Sequence, residues 1–366
     1  MRDKKRATIK DVAQETGLAL STVSNALAGK SNVSDRTRAR VEVAAERLGY
    51  RASAVARALR MQRSFTIGVL IADVSNPSSA DFVRGVEDVV SREKCTLLLC
   101  NTDGDEEKQL AHMRTLIDRQ VDGMVLISQH CSSPKVRELL DSSVPFVLVQ
   151  RRSAKHKDNY VGSDNCEGLR QAIHYVHSLG HRRIGFVQGP EDSSSARERL
   201  ETFLSTADGF RLKVEQDLIY HGDYTFEGGL EAGQYFCAMR RRPTCVLASS
   251  DINALGVIHS ALDAGLDVPK DLSVVGLDDI SLASFRRIDL TTIQLQKRDM
   301  GIAAAELLMK QVWQPLFRPQ KIILPTKLII RGSVIRPAQK SRDKSKKLSA
   351  RGSVGDGSIL STAIAE

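Results

Sequence analysis

At 366 residues the chain is long enough for more than one domain. Its charged opening, MRDKKRATIKDVAQ, does not read as a secretory signal, and no apolar run reaches membrane-spanning length. Its six cysteines (Cys95, Cys100, Cys131, Cys166, Cys237, Cys245) form no C-x-x-C pair and sit mostly in apolar runs. That usage fits core filling in a reduced, cytoplasmic setting better than a disulfide scaffold. The net charge of +9 is unevenly divided: residues 1–63 hold 14 Lys/Arg against 6 Asp/Glu, residues 332–366 hold 7 against 3, and the 268 residues between hold 32 against 35. Basic ends on a near-neutral body are the footprint of a polyanion-binding appendage on a globular module.

In chain order, the first 50 residues predict three short helices. Thr8-Ile9-Lys10-Asp11 has capping-box spacing, Ile9, Val12 and Ala13 form an apolar stripe, and Gly17 ends the helix. A second helix runs from about Leu20 to Ala28 and stops at Gly29; a third begins after a Ser34 N-cap and stops at Gly49. Two short helices joined by a glycine-containing turn make a helix-turn-helix. On the second helix Val23, Ala26 and Leu27 share one face, while Ser21, Thr22 and Asn25 lie on the other. Ser, Thr and Asn are weak helix formers, an odd choice for a merely solvated face. They suit a helix lying in a major groove, where an Asn amide pairs with adenine and Leu20 meets a thymine methyl. The bland alternative is an ordinary solvated bundle face.

An Ala- and Arg-rich linker covers residues 51–63. Beyond it, FTIGVLI, CTLLLC, VDGMVLIS, PFVLVQ, IGFVQG, DLIYHG, TCVLASS and SVVGLDD alternate with amphipathic segments. Near-continuous apolar strands alternating with helices predict parallel sheets covered on both faces. Eight such units predict two successive doubly wound lobes with a cleft between them. The segment after Pro337 is polar and basic and predicts disorder, with no Leu heptads for a coiled coil.

These stretches resemble the lactose/galactose-repressor (LacI/GalR) family of bacterial transcription regulators. The resemblance begins with ATIKDVAQETGLALSTVSNALAGKSNVSDRTRARVEVAAERLGYRASAVARALR and continues through GVLIADVSNP, RQVDGMVLIS, GSDNCEG, SLGHRRIGFVQGP, SARERL, PTCVLASSDINALGVIHSALDAGLDVPKDLSVVGLDD and DLTTI. It covers about residues 6–335. It implies an all-α helix-turn-helix head on a two-lobed α/β core like that of periplasmic binding proteins, with two doubly wound parallel sheets. The implied division is a DNA-binding head over 1–50, a hinge helix or linker over 51–63, an effector-binding and dimerisation core over 64–335 and a basic tail over 336–366.

By position, the resemblance assigns base reading to Leu20, Ser21 and Asn25, and phosphate contact to Thr22 and Ser24, with Ser31 beside them. Ala58, Leu59 and Arg60 fall in the implied hinge helix, Leu59 as a minor-groove wedge that kinks the duplex. Arg199 and Asp278 match a charged effector-contacting pair, Tyr224 an aromatic that stacks on the ligand, and Ser250 a polar contact; Ser78, Ser128 and Gln150 are further cleft candidates. An interlobe salt bridge is the alternative role for Arg199. Three departures stand out. Ala19 replaces the Ser that usually caps the recognition helix, Arg51-Ala52 replaces an Asn-Pro, and Ser78-Ser79 replaces an aromatic pair. Gln150, where Asp is common, followed by Arg151, tilts the expected effector from a neutral sugar toward a sugar acid.

The implied function is a cytoplasmic, nucleoid-associated homodimeric repressor that binds double-stranded operator DNA and is released by a small sugar or sugar-acid effector. It requires no cofactor and no metal. An effector acting as corepressor, and a solute-binding transport module, are the alternatives; the latter has no use for a basic head. His174, His177 and His181 show helical spacing, but Gly180 turns the chain before His181, so a metal is not expected. Gly29-Lys30-Ser31 mimics the end of a P-loop but follows a helix. No G-x-S-x-G, H-E-x-x-H or strand-linked G-x-G-x-x-G occurs, so no enzyme is expected.

Overall fold

The computed structural model describes residues 7–27, 30–50, 63–141, 144–153, 155–314 and 318–338. The head folds as α1 (Ile9–Thr16), α2 (Leu20–Leu27) and α3 (Asp35–Arg47). The capping box forms, with Thr8 N donating to Asp11 Oδ2 at 2.7 Å, and Gly17 turns the chain at φ 63°. Ser34 caps α3 by accepting from Thr37 N. The three helices bury Val12, Val23, Ala26, Val33, Val41, Ala44 and Ala45 against one another. That is a small core of mostly small side chains, so its stability leans on caps and turns as well as on burial.

The core contains two six-stranded sheets among the described residues. The first takes β1 (Thr66–Ile71), β2 (Thr96–Asn101), β3 (Gly123–Ile127), β4 (Phe146–Val149), β5 (Tyr160–Ser163) and β11 (Lys321–Leu324) in the order β11-β5-β4-β3-β1-β2. The second takes β6 (Ile184–Gln188), β7 (Ile219–His221), β8 (Cys245–Ala248), β9 (Ser273–Asp278), β10 (Thr291–Leu295) and β12 (Thr326–Ile329) in the order β12-β10-β9-β8-β6-β7. All pairings are parallel except β10 with β12. On the first lobe lie α4 (Pro77–Arg92), α5 (Glu106–Asp118), α6 (Pro134–Asp141) and α11 (Lys297–Trp313); on the second lie α7 (Asn165–Ser178), α8 (Ser194–Gly209), α9 (Phe226–Ala238) and α10 (Asp251–Asp263).

Two sequence expectations need correction. The lobes are not successive: the chain crosses after β5, returns through α11 and β11, and crosses again at Pro325 into β12. And four strands beyond the eight apolar runs exist. β5 (YVGS) is short and partly polar, and β11 and β12 read as one run, KIILPTKLI, until Pro325 is seen to divide it between sheets. Pro lacks a ladder N–H, which makes it a natural divider. One apolar cluster runs through both lobes, from Ile67, Phe82 and Val86 to Leu169, Phe186, Phe203 and Leu277.

Candidate functional site

In the head, α2 buries Val23 and Ala26 and turns its other side outward. Leu20 is 44 % exposed, Ser21 is exposed, Thr22, Ser24 and Asn25 are half-buried, and Ser31 is exposed on the following turn. Leu20, Ser21, Thr22, Ser24 and Asn25 therefore lie together on the outward side of one helix, with Ser31 on the turn beyond it. Ala19 O accepts from Val23 N at 3.0 Å, which starts the helix, but a methyl group cannot cap the first amides as Thr8 and Ser34 do for α1 and α3. Ala58, Leu59 and Arg60 lie outside the described residues.

In the core, the carboxyl ends of both sheets face a cavity of about 470 Å³, where doubly wound sheets place ligands. Ser78, Ser128, Gln150, Arg199, Tyr224, Ser250 and Asp278 all line it. Asn76 caps α4 and sets Ser78 at the rim, accepting from Ser78 N at 2.9 Å. Ser128, Gln150 and Asp278 follow or end β3, β4 and β9 and carry φ angles of 57°, 70° and 135°. Such backbone is disfavoured for residues with a Cβ, and its clustering at a site is a mark of function.

Arg199 forms no salt bridge with Asp278 among the described residues. It is 4 % exposed; Nε donates to Asn165 Oδ1 at 2.9 Å, and Nη1 donates to Ser249 O at 2.8 Å and reaches Tyr224 OH at 3.4 Å. These hydrogen-bond partners are neutral and belong to its own lobe; they orient the guanidinium, whose charge acts on the Asp278 carboxyl. Tyr224 in turn stands over Gly189, where a Cβ would come within 2.3 Å of the ring. Gln150 is 6 % exposed and its Oε1 has no hydrogen-bond partner, an acceptor left open in the cleft wall. Ser250 is different: its hydroxyl caps α10, accepting from Asn253 N at 3.1 Å and pairing with Asn253 Oδ1 at 2.9 Å.

Burial pushes the Asp278 carboxyl up, while Lys297 and Arg199 pull it down and Ser78 bonds to it from the first lobe. Behind it, burial and the Asp278 charge push Asp251 up to about 7. Thr292 Oγ1 donates to Asp251 Oδ1 at 2.5 Å and Ile280 N to Oδ2 at 2.9 Å.

A second charged cluster bridges the lobes at the cleft wall and escaped the sequence reading. Asp192, after β6, accepts from His130 Nδ1 at 2.8 Å and from Arg151 Nη1 at 3.0 Å, both on the first lobe. His130 Nε2 sits 2.9 Å from Gly104 O. The bond to Asp192 holds the His130 pKa up against burial, and the same bond, with Arg151, lowers Asp192 to about 2. Nearby, Ser194 Oγ accepts from Arg152 N at 2.9 Å, and Ser195 Oγ donates to Gln150 O. These bonds join the lobes on the same side. Residues 130, 151 and 192 lie in separate loops with no shared motif, so only the fold brings them together. His181, by contrast, is buried between Thr244 Oγ1 and Ile335 O, 2.9 Å from each. It ties the chain after β12 to the second lobe.

The geometry defines a helix-turn-helix head carried by a two-lobed ligand-binding core. A family model for bacterial regulatory proteins of the lacI family matches residues 8–53, and one for a periplasmic binding protein-like domain matches residues 173–334. The chain is 35 % identical over 329 residues to the ribose operon repressor of Escherichia coli (strain K12), spanning 89 % of this chain and 99 % of that protein. It is 34 % identical over 327 residues to catabolite control protein A of Priestia megaterium, spanning 89 % and 98 %. Among solved structures, the transcriptional regulator CelR–cellobiose complex matches at TM-score 0.69 and 28 % identity, covering 90 % of this chain and all of that one. A LacI family regulator from Enterococcus faecium with bound ribose matches at 0.66 and 27 %, covering 75 % and all. The lac repressor dimer on its operator shares the fold at TM-score 0.81 and 24 % identity, covering 90 % and all. The chain belongs to the LacI family of bacterial transcriptional regulators.

Proposed function

We propose that the chain is a cytoplasmic, homodimeric repressor whose two heads read half-sites of a near-palindromic operator, and that an uncharged monosaccharide in the cleft releases it. The division into head (1–50), linker (51–63), core (64–335) and tail (336–366) belongs to the same reading. So do the roles of Leu20, Ser21, Thr22, Ser24, Asn25, Ser31, Ala58, Leu59 and Arg60 on DNA. The observation that carries the effector class is the pairing of Arg151 with Asp192. Arg151, which together with Gln150 in place of the common Asp tilts the sequence reading toward a sugar acid, is already neutralised.

What the cleft offers instead is the oriented Arg199, the Asp278 carboxyl, the open Gln150 oxygen and the Tyr224 face. Alternating donors and acceptors beside one aromatic suit vicinal hydroxyls on a sugar ring. Asp73 and Asp223 add negative charge around the wall, which disfavours a carboxylate ligand further. The names of a ribose operon repressor and of a ribose-bound relative point the same way. Release follows if the sugar favours a lobe arrangement that binds operator poorly; only that difference in affinity drives the switch. No catalytic step is involved.

A thermal-shift screen pairing each neutral pentose and hexose with its aldonic acid tests this. A neutral sugar raising Tm, with its acid inert, is the expected result. A shift given by the acids alone would return the effector to that class.

A further inference from the structure

Helix α11 has a distinctive placement. It is 17 residues long, about 25 Å from end to end. Its first residue, Lys297, is 4 % exposed. Nζ donates to the carbonyls of Asp278 and Asp279 on the second lobe and lies 3.6 Å from Asp81 Oδ2 on α4. The helix thus begins at the strand end that carries the cleft carboxylate. Along its length it meets α4 almost backbone to backbone. A Cβ on Gly85 would stand 2.0 Å from Arg298 O, and one on Gly301 would stand 2.2 Å from Phe82 O. Phe82 and Ser78, also on α4, line the cleft. Two helices locked this closely shift together or not at all.

The last residue of α11 is Trp313. The Arg63 guanidinium lies over its ring, 3.8 Å from the centroid, and 3.4 Å from Asp122 Oδ2. Arg63 is the last residue of the linker and the one residue of it that is described. Its three guanidinium nitrogens are buried without a hydrogen-bond partner, so ring stacking and charge hold it. Asp122 also accepts from Ser64 N at 2.7 Å and Phe65 N at 3.0 Å, which fixes the chain as it enters β1. Trp313 itself is 57 % exposed and fills no core, so packing does not account for it.

We propose that α11 carries the state of the cleft to the DNA-binding end of the molecule, with Trp313, Arg63 and Asp122 as the positioning residues that seat the linker root. A shift of the second lobe pulls on Lys297 through the Asp278 and Asp279 carbonyls. The displaced helix then moves Trp313 under Arg63. The inference rests on the regulator reading and adds a physical route to it.

The test uses the full chain and a duplex enriched from a random-sequence pool by the wild-type protein. Trp313 is the chain's single tryptophan, so tryptophan emission, excited on the red edge where tyrosine does not absorb, reports this cluster alone. Adding the enriched duplex is expected to shift the emission. Trp313→Ala and Arg63→Met are expected to weaken that duplex about three- to tenfold. They should leave binding to an unrelated duplex unchanged and Tm within about 2 °C. Lys297→Gln, or Asp81→Asn if that variant does not fold, is expected to shift Trp313 emission from the far end of the helix. An unshifted emission, wild-type affinity in Trp313→Ala, or an equal loss on both duplexes would each overturn the proposal while leaving the regulator reading intact. Failure of the wild type to enrich any duplex would overturn both.

Discussion

The head and the cleft present their proposed recognition groups in opposite ways. In the head, Leu20 and Ser21 stand exposed on a helix whose N-terminus has no side-chain cap, above a core built mainly of valine and alanine. In the cleft, Arg199 is buried and held by Asn165, Ser249 and Tyr224 before any ligand arrives. The first surface leaves part of its ordering to the partner; the second has that cost already met by folding. A small side chain on a bare helix can follow a groove, whereas a ring of hydroxyls needs donors and acceptors fixed in place.

The strongest challenge to that contrast is Arg199→Ala. It is expected to cost roughly 2–5 kcal/mol of effector binding, because a buried, oriented charge is lost and its acceptors are left open. Operator affinity without effector should stay near wild type; calorimetry showing undiminished sugar affinity would remove Arg199 from the site. Asn25→Ala comes next, with an expected loss of about 1–3 kcal/mol at one base pair of the site. Binding to duplexes substituted one position at a time would show it, and an unaltered preference profile would take Asn25 out of the reading set.

Ala19→Ser sharpens the comparison from the other side. Supplying the absent cap is expected to stabilise the head by about 1 kcal/mol, seen as slower amide exchange in α2. It should leave effector affinity unchanged, and no gain in protection would mean the helix is already as ordered as its neighbours.

The smallest effect is the pH response of the clasp between the lobes. Asp192, lowered to about 2, contributes stability above its unfolded value of about 3.9 and loses it as pH falls toward 2. His130, raised above its ordinary 6.5, contributes below that value and loses its share as pH rises through its folded pKa. The clasp is therefore at full strength from about pH 4 to 6.5. On the alkaline side Arg151 still holds Asp192, so the fall is shallow. Thermal melts of wild type and His130→Gln above neutrality would converge; a gap that widened with pH would contradict the assignment.

The head was legible because its signals are local: a capping box, glycine stops and a polar face within one helix. The seven cleft residues were legible only through resemblance, since 78, 128, 150, 199, 224, 250 and 278 share no local pattern. Sequence misled where chemistry depends on partners. Arg151 counted as positive charge beside Gln150 until the fold set Asp192 against it, and Ser250, which lines the cavity, also caps a helix. The crossings between lobes were hidden for a similar reason. Nothing in KIILPTKLI says that four residues before Pro325 pair with β5 and four after it pair with β10.

The central claim is that a neutral sugar in the cleft loosens the grip on DNA. Its most direct test is the equilibrium affinity of the full-length protein for its enriched duplex, with and without the sugar that gives the largest thermal shift. Two chains per duplex are expected, and an affinity at least about tenfold weaker with sugar, the scale of ordinary coupling between sites. Tighter binding with sugar, or one chain per duplex, would contradict it.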